Sequence, residues 1–441
     1  MTPPASSSAD LVRVIGRWSL VALAVNSILG SGIFGLPSTV AGLLGTASPA
    51  AVVLAGCGMA VIIACYAELA SQFTETGGTY LYLQRAFGRL VGVQVGWMTL
   101  LGRLTACAAS VNLLVVYVAE FWPGATQPSA RLLIISLFIA VLAVVNYRGV
   151  TGGTRVSNVS VVAKLAALGI VCVAGIAYLT THAHATAAPV RADTGDWLNA
   201  MLLLLFAYGG YEAALNPMAE AQNPRRDAAF ALFVALLIIT AVYGLLQFIV
   251  VSVLADAARS VRPLSDVART IMGPAGGVLV ALGALVSIYG YLSANLLTGP
   301  RGIFALAERG DIPRAFAAVH PRFHTPYLSI VVFALLLWGF SQFASFSWNV
   351  TLSAVARLFY YGGVCVAVPV LRRRQPDAAR LRVPGGLLLP MLGVTICAVL
   401  LTRVDFSKSV VLIATVALAL VNWLAVRNRP ERVTASYHRR G

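Results

Sequence analysis

Lys164 is the residue whose chemistry stands out first in this sequence. It lies nine positions after Arg155 inside an apolar stretch, about 13 Å along a helix that starts there. From that depth the side chain does not easily extend back to water. The chain holds 30 arginines and only two lysines, and an amine, unlike a guanidinium, can release its proton. We therefore expect Lys164 to take part in proton coupling.

A glycine-rich interruption, NSILGSGIFGLP at residues 26–37, is the second such feature. A glycine in a helix interior costs roughly 1 kcal/mol relative to alanine, so Gly30, Ser31 and Gly32 mark a place where a helix opens. In a bilayer, freed backbone groups are tolerated only where they are buried in protein or line a polar cavity. The opening is thus a potential binding site. Close packing of small residues against another helix is the alternative.

A matching interruption, FAYGGYEAALNP, occupies residues 206–217. At helical rise, Gly30 lies about 20 Å from Arg17 and Gly209 about 18 Å from Trp197, so both breaks reach the middle of a bilayer from opposite faces. Two broken helices at equivalent places in inverted halves indicate the substrate site of a secondary transporter. By this interpretation, the alternative role of Lys164 is a fixed cation that ties its helix to carbonyls of the first break, and both roles can coexist.

The chemistry of two such breaks restricts the ligand. The N–H groups after the first break form the positive end of a half-helix, which suits a carboxylate. Unwound carbonyls of the second break suit an ammonium group. A ligand that carries both charges close together is an amino acid. The sequence shows no intramembrane acidic cluster that would demand a polycation, although Glu212 lies beside the second break.

The composition indicates the elements that must position these residues. With 59% hydrophobic residues, 11% charged residues and a mean hydropathy of +0.83, the chain predicts an all-α polytopic membrane protein. A span needs about 20 apolar residues, and twelve windows qualify. They are 15–36, 48–70, 91–119, 131–147, 156–179, 197–216, 228–254, 275–303, 327–344, 348–371, 385–403 and 408–426.

The basic residues predict the orientation, because they favour cytoplasmic loops. With both termini in the cytoplasm, 22 of the 32 basic residues lie on that side. The net charge of +16 is then a topology signal, and we expect no nucleic acid partner. Arg103, Lys164 and Arg357 fall within spans. The two arginines must face protein or water, and we first interpret them as structural anchors.

Other chemistries find little support. The six cysteines lie in apolar spans without a CxxC pair, which is typical of small core residues. His182 and His184 lack further ligands nearby, so we expect no metal site. The chain has no GxxxxGK, nucleophile-elbow or HExxH motif. We expect neither an enzyme nor an ATP-driven pump, and no cofactor.

Five blocks carry a resemblance to a known family. They are NSILGSGIFGLP (26–37), YAELASQFTETGGTYLYLQRAFG (66–88), VNYRGVTGGTRVSNVSVVAKL (145–165), FAYGGYEAALNPMAEAQNPRRD (206–227) and LLTGPRGIFALAERGDIPRAFAAVHPRFHTP (296–326). In this order they resemble an amino acid permease of the amino acid-polyamine-organocation superfamily, over at least residues 14–375.

The resemblance implies five plus five inverted helices, with helices 1 and 6 discontinuous, and two added helices. The boundaries are a tail at 1–14, repeats at 15–179 and 197–371, two helices at 385–426 and a tail at 427–441. By resemblance, Ile28, Ser31 and Gly32, around Gly30, form the carboxylate site, while Phe206, Ala207 and Gly209 supply carbonyls for the amine. Lys164 matches the position where an ammonium replaces the sodium ion of related transporters. Asn295 is placed, by spacing, in the side-chain pocket.

Together these features predict a secondary active transporter that moves amino acids by alternating access, with proton symport as the coupling mode. Its partners are the amino acid, protons and the lipid bilayer, with any accessory subunit unknown, and its location is a plasma membrane, the inner membrane in a bacterium. One alternative is an obligate exchanger, which needs preloaded counter-substrate for uptake. The other is an amino acid sensor, which would carry a signalling extension, whereas about 15 residues follow the last span.

Overall fold

A computed structural model describes residues 16–73, 77–149, 153–182, 190–215, 221–375 and 381–427, without the side chains of 153–160, 224 and 225. The two predicted tails, apart from residue 427, lie outside this part. The described residues form helices joined by short loops and 3₁₀ turns. The α-helices are α1 Arg17–Ile28, α2 Gly32–Leu44, α3 Ser48–Gln72, α4 Gly78–Phe87, α5 Arg89–Val118, α6 Pro128–Tyr147, α7 Gly153–Thr181, α8 Thr194–Tyr208, α9 Pro224–Val253, α10 Pro263–Met272, α11 Pro274–Glu308, α12 Tyr327–Phe343, α13 Phe346–Arg374, α14 Leu388–Leu401 and α15 Phe406–Val426.

The helices have the length and composition of a polytopic membrane protein. In the described part of the chain, nine helical segments are long and apolar enough to cross a bilayer, and α12 and α14 are shorter apolar helices. Their burial separates inner from outer helices, since 78% of the most apolar window of α5 is buried but only 11% of that of α15. An apolar helix with an exposed apolar surface is expected to face lipid.

The first predicted span is two helices. α1 ends at Ile28, where the amide of Leu29 still bonds to Val25 O at 2.9 Å and that of Gly30 turns back to Ile28 O at 2.7 Å. A second helix, α2, then starts at Gly32 and continues through Pro37 to Leu44. The predicted end at residue 36 was therefore wrong. Pro37 removes one backbone donor near the start of α2, and the helix continues beyond it. Gln247 Nε2 of α9 donates to Pro37 O at 3.0 Å, which ties α2 to α9.

The second interruption follows α8 directly. Gly209 is extended and Gly210 has a φ of 113°, a conformation that L side chains rarely adopt. A Cβ atom on Gly210 would also overlap the carbonyl oxygen of Ser27. The chain then forms a 3₁₀ turn over Tyr211–Leu215. Glycine is required at position 210 on both counts, so this break and α1 meet backbone to backbone.

The packing places both interruptions at the centre of the bundle. α1 packs on α9 and on the 3₁₀ turn after α8, and α2 packs on α8. Around them α3 contacts α9, α5 contacts α13, and α7 contacts α11. Each broken segment is therefore enclosed by continuous helices.

Two buried carboxylates fasten the helices at one end of the bundle. Glu68 is fully buried and bonds both Nε and Nη2 of Arg372 at 2.6 Å, and the amide of Val383 at 2.8 Å. Asp311 accepts from Arg89 Nε at 2.9 Å, while its backbone carbonyl accepts from Asn422 Nδ2 at 2.6 Å. These contacts join α3 to α13 and to the loop before α14, and they join α5 to α15 through the loop after α11. A single missing partner would leave a buried charge unpaired, which is strongly destabilising.

Candidate functional site

The two interruptions open onto one cavity of about 740 Å³. This volume lies within the range of small-molecule sites, roughly 300–1,000 Å³. Helices α4, α5, α7, α11 and α13 complete its walls. All nine residues predicted from the sequence line it, namely Ile28, Gly30, Ser31, Gly32, Lys164, Phe206, Ala207, Gly209 and Asn295.

The two breaks touch at Gly32 and Ala207. A Cβ atom on Gly32 would lie 3.0 Å from the Cα atom of Ala207 and 3.2 Å from its Cβ atom. Such distances are tighter than ordinary van der Waals contacts. The start of α2 and the end of α8 therefore lie side by side.

The first turn of α2 offers backbone donors to the cavity. Ser31 precedes the helix in a helical conformation, and no side chain in the described part of the chain caps this end. Phe34 and Gly35 donate back to Ser31 O at 3.1 and 3.2 Å. Amides earlier in the turn have no partner one turn back, so they can bind an anion at the positive end of the helix dipole. The Ser110 hydroxyl holds Ser31 Oγ at 2.8 Å.

Lys164 closes the opposite side of the first break. Its Nζ atom donates to Asn26 O at 2.7 Å and to Leu29 O at 2.8 Å, and the residue is only 6% exposed. These carbonyls belong to the end of α1, the negative end of that helix dipole. The contact is the one expected for a fixed cation between the fifth span and the first break. An ammonium has three donors, so one N–H remains after these two bonds.

Tyr243 of α9 connects the two breaks and was not identified from the sequence. Its hydroxyl lies 3.2 Å from Ile28 O and 3.4 Å from Ala207 O, and donates to either carbonyl. At the end of α8, Phe206 O accepts from the Gly209 amide at 3.1 Å. Tyrosine in an apolar span is an ordinary core residue, so its sequence context gives no signal of this role.

Glu212 and Arg357 form an ion pair beside the second break. Arg357 Nη1 lies 2.8 Å from Glu212 Oε1, and the hydroxyls of Tyr360 and Tyr361 approach the carboxylate at 3.2 Å each. The Gly210 amide donates to the same carboxylate at 3.0 Å. A side chain on Gly209 would overlap the Arg357 guanidinium. Arg357 therefore anchors α13 to the break.

Arg103 and Asn295 face the cavity from α5 and α11. Arg103 Nη1 donates to Thr298 Oγ1 at 3.2 Å. Asn295 Nδ2 donates to Tyr291 O, one turn earlier on its own helix, at 2.9 Å. The side-chain amide oxygen of Asn295 is an acceptor, so this wall offers both donors and acceptors to a ligand.

The histidines and cysteines of the described part of the chain do not form a metal site. Within the described ranges, no group of three His, Cys, Asp or Glu side chains is placed to hold a metal ion. His182 is exposed and stacks on the Tyr178 ring with centroids 4.1 Å apart, while His184 lies outside the described residues. Four cysteines are buried and Cys172 is partly buried, but Cys57 is exposed on α3. The expectation that all six are core residues was wrong for Cys57, because it lies on the outer face of that helix.

The proteins that are similar in sequence to this chain are amino acid permeases and other transporters. A sequence profile described as amino acid permease matches residues 15–424. Three curated relatives are from Bacillus subtilis (strain 168). The methylthioribose transporter is 27% identical, covering 89% of this chain and 88% of its own. The branched-chain amino acid permease BcaP is 25% identical, with 94% and 93% covered, and the serine/threonine exchanger SteT is 29% identical, with 84% and 86% covered.

Proposed function

This chain belongs to the amino acid permease family, and we propose that it moves an amino acid across the membrane by alternating access, as a proton symporter. Its family and its relatives are transporters, not enzymes. It is a multi-pass integral membrane protein with apolar helices long enough to span a bilayer. The observation that carries the proposal is the meeting of two interrupted helices at one cavity.

The substrate backbone binds between the two breaks. Its carboxylate accepts from the first-turn amides of α2, near Ile28, Gly30, Ser31 and Gly32, where no described side chain caps the helix. Its ammonium donates to carbonyls at the end of α8, at Phe206, Ala207 and Gly209. Support comes from the Gly32–Ala207 contact, which puts a donor-rich end beside an acceptor-rich end.

The architecture that fits this function has twelve spans in two inverted repeats, 15–179 and 197–371, with 385–426 added. In it α1 and α2 correspond to α8 and its 3₁₀ turn, α5 to α11, and α7 to α13. Support comes from the two interruptions, which both lie in the first span of a repeat. Because each repeat has an odd number of spans, the second repeat crosses the membrane in the opposite orientation to the first. Substrate sites of this kind lie between two such inverted repeats.

The cavity opens to the cytoplasm in this conformation. Its lining extends from the breaks to Tyr80 and Arg309. That end of the bundle carries Arg85, Arg89 and the run 372–374, and clusters of basic residues favour the cytoplasmic side. Both termini then lie in the cytoplasm, and the membrane is the inner membrane in a bacterium. The conformation corresponds to an inward-open state.

Proton coupling acts through Lys164. As an ammonium it holds the carbonyls of Asn26 and Leu29, at the negative end of the α1 dipole. Loss of the proton removes the charge that attracts this helix end, so the first break can move relative to α7. The protonation state of one side chain thus biases the equilibrium between the two access states.

Uptake into proteoliposomes tests the function directly. Purified protein is first screened by thermal shift against the twenty amino acids, because a ligand stabilises the folded state by mass action. Uptake of the best ligand is then measured with and without an inward proton gradient. Accumulation that depends on the gradient supports the symporter. Absence of both binding and uptake for every amino acid contradicts the proposed function.

Exchange is the second candidate, and one comparison favours it. The relative SteT, 29% identical, is named a serine/threonine exchanger. An exchanger would show uptake only into vesicles preloaded with counter-substrate, and an imposed proton gradient would not replace the preload. The same vesicles, empty or preloaded, therefore separate the two modes.

A further inference from the structure

The described lining of the cavity carries a net positive charge, because its basic residues outnumber its acidic ones. Among the described lining residues, Arg103, Lys164, Arg309 and Arg357 are basic, and Glu212 alone is acidic. Glu212 already pairs with Arg357. A cavity with walls of one sign concentrates ligands of the opposite sign, so this site favours an anionic ligand over a cationic one.

Arg103 is the cation without an obvious structural use. It lies in the middle of α5, 14 residues after Arg89, about 21 Å along the helix. Its one described hydrogen bond is to the Thr298 hydroxyl at 3.2 Å, and no carboxylate in the described residues lies within ion-pair distance of it. A guanidinium has five N–H donors. Unpaired charge at membrane depth is costly and marks functional positions.

The position of Arg103 relative to the backbone site follows from helix geometry. Ser110, whose hydroxyl contacts Ser31 Oγ at 2.8 Å, lies seven residues after Arg103 on the same helix. Seven residues are two turns, so both side chains project from the same face, about 10 Å apart along the axis. Arg103 therefore faces the part of the cavity beside the carboxylate site, where a substrate side chain would extend.

We propose that this cavity selects amino acids whose side chain ends in a carboxylate, and that Arg103, oriented by Thr298, binds that carboxylate. The inference rests on the proposed function and specifies its substrate class. The α-carboxylate stays on the α2 amides, and the second carboxylate meets the planar guanidinium, a geometry suited to two parallel hydrogen bonds. Lysine, arginine and polyamines are disfavoured by the positive wall.

Binding to purified full-length protein tests the selectivity without any mutation. Affinities of aspartate and glutamate are compared with those of asparagine and glutamine, which differ in charge but hardly in shape. We expect the acids to bind on the order of tenfold or more tightly, as charged hydrogen bonds allow. Equal or tighter binding of the amides would overturn the inference and leave the transporter assignment intact.

Variants at position 103 locate the effect. Arg103→Gln should weaken acid binding on the order of ten- to a hundredfold and leave amide binding within about threefold, while Arg103→Lys should retain part of the selectivity. Arg301→Gln is the matched control, because Arg301 is exposed on α11 outside the cavity lining. Equal losses for acids and amides would make Arg103 an anchor only. If Arg103→Gln does not fold, two measurements still test the inference. They are the affinities of the wild type for acids and amides, and those of Arg103→Lys.

Discussion

Gly32 of α2 and Ala207 of α8 approach so closely that a Cβ atom on Gly32 would lie 3.0 Å from the Cα atom of Ala207. This contact joins two segments that are 175 positions apart in the chain. A side chain at position 32 would require the Ala207 backbone to shift by a few tenths of an ångström. The carboxylate and ammonium sites of the proposed substrate therefore depend on one glycine.

Replacement of Gly32 by alanine should separate the two breaks. The added methyl group must displace the α8 backbone, which should lower the free energy of unfolding by about 1–3 kcal/mol and weaken substrate binding. Gly58→Ala is the control, since no described atom lies within 4 Å of a Cβ there, and helix propensity favours alanine by about 1 kcal/mol. Thermal unfolding measures the stability of each variant, and ligand titration measures its substrate affinity. Wild-type binding by Gly32→Ala would contradict the contact's role.

Replacement of Glu212 by glutamine should leave Arg357 without its counter-charge. The pair is largely buried, with 9% of the Arg357 side chain and 20% of the Glu212 side chain exposed. Breaking such a pair costs about 3 kcal/mol or more, so the unfolding temperature should fall clearly. Glu308→Gln is the control. It removes an exposed carboxylate at the end of α11 and should change the unfolding temperature little. Equal shifts for the two variants would show that the ion pair adds no stability.

Substitutions of Lys164 separate charge from proton exchange. Lys164→Arg keeps a cation that does not deprotonate, so it should still bind substrate but lose the response to a proton gradient. Lys164→Ala removes the contacts to Asn26 O and Leu29 O. It should weaken both substrate binding and the response to the gradient. Gradient-driven uptake in proteoliposomes measures the effect.

The control for these variants is Lys408→Ala. Lys408 is the other lysine of the chain, and it pairs with Asp405 at the start of α15. This variant should respond to the gradient as the wild type does. A Lys164→Arg protein that still accumulates substrate along the gradient would refute the proton role and leave the fixed-cation role.

Removal of the Tyr243 hydroxyl should loosen the connection between the breaks. Tyr243→Phe deletes the donor that serves Ile28 O and Ala207 O, and one hydrogen bond contributes about 1 kcal/mol. We expect a small loss of stability and a larger relative loss of substrate affinity. Tyr289→Phe is the control, because that ring is 40% exposed on α11. Identical affinities for both variants would rule out the bridging role.

Much of the site was accessible from the sequence because its backbone chemistry leaves a local trace. A helix opens where glycines cluster, and Gly30–Gly32 and Gly209–Gly210 stand in the sequence as such clusters. Lys164 stood out because the chain otherwise uses arginine. These nine predicted residues lie around one cavity, while their roles in binding and coupling stay predictions.

The residues that hold the two breaks in place could not be predicted from the sequence. Ser110, Tyr243 and the two tyrosines 360 and 361 are ordinary residue types for apolar helices, and each meets its partner across 36 or more positions of chain. The end of α2 was also misplaced. Pro37 predicts a stop locally, but it removes only one backbone donor near the start of α2, and the helix continues to Leu44.

The sequence by itself determined that this chain is a helical membrane protein, where two of its helices open, and which ionisable groups fall within apolar stretches. Hydropathy, glycine and charge act locally, so each can be read from neighbouring residues. Only the tertiary structure decided that both openings share a cavity, that Glu212 compensates Arg357, and that Arg103 has no such partner among the described residues. Pairing of charges depends on distances between helices, and the order of residues along the chain does not specify those distances.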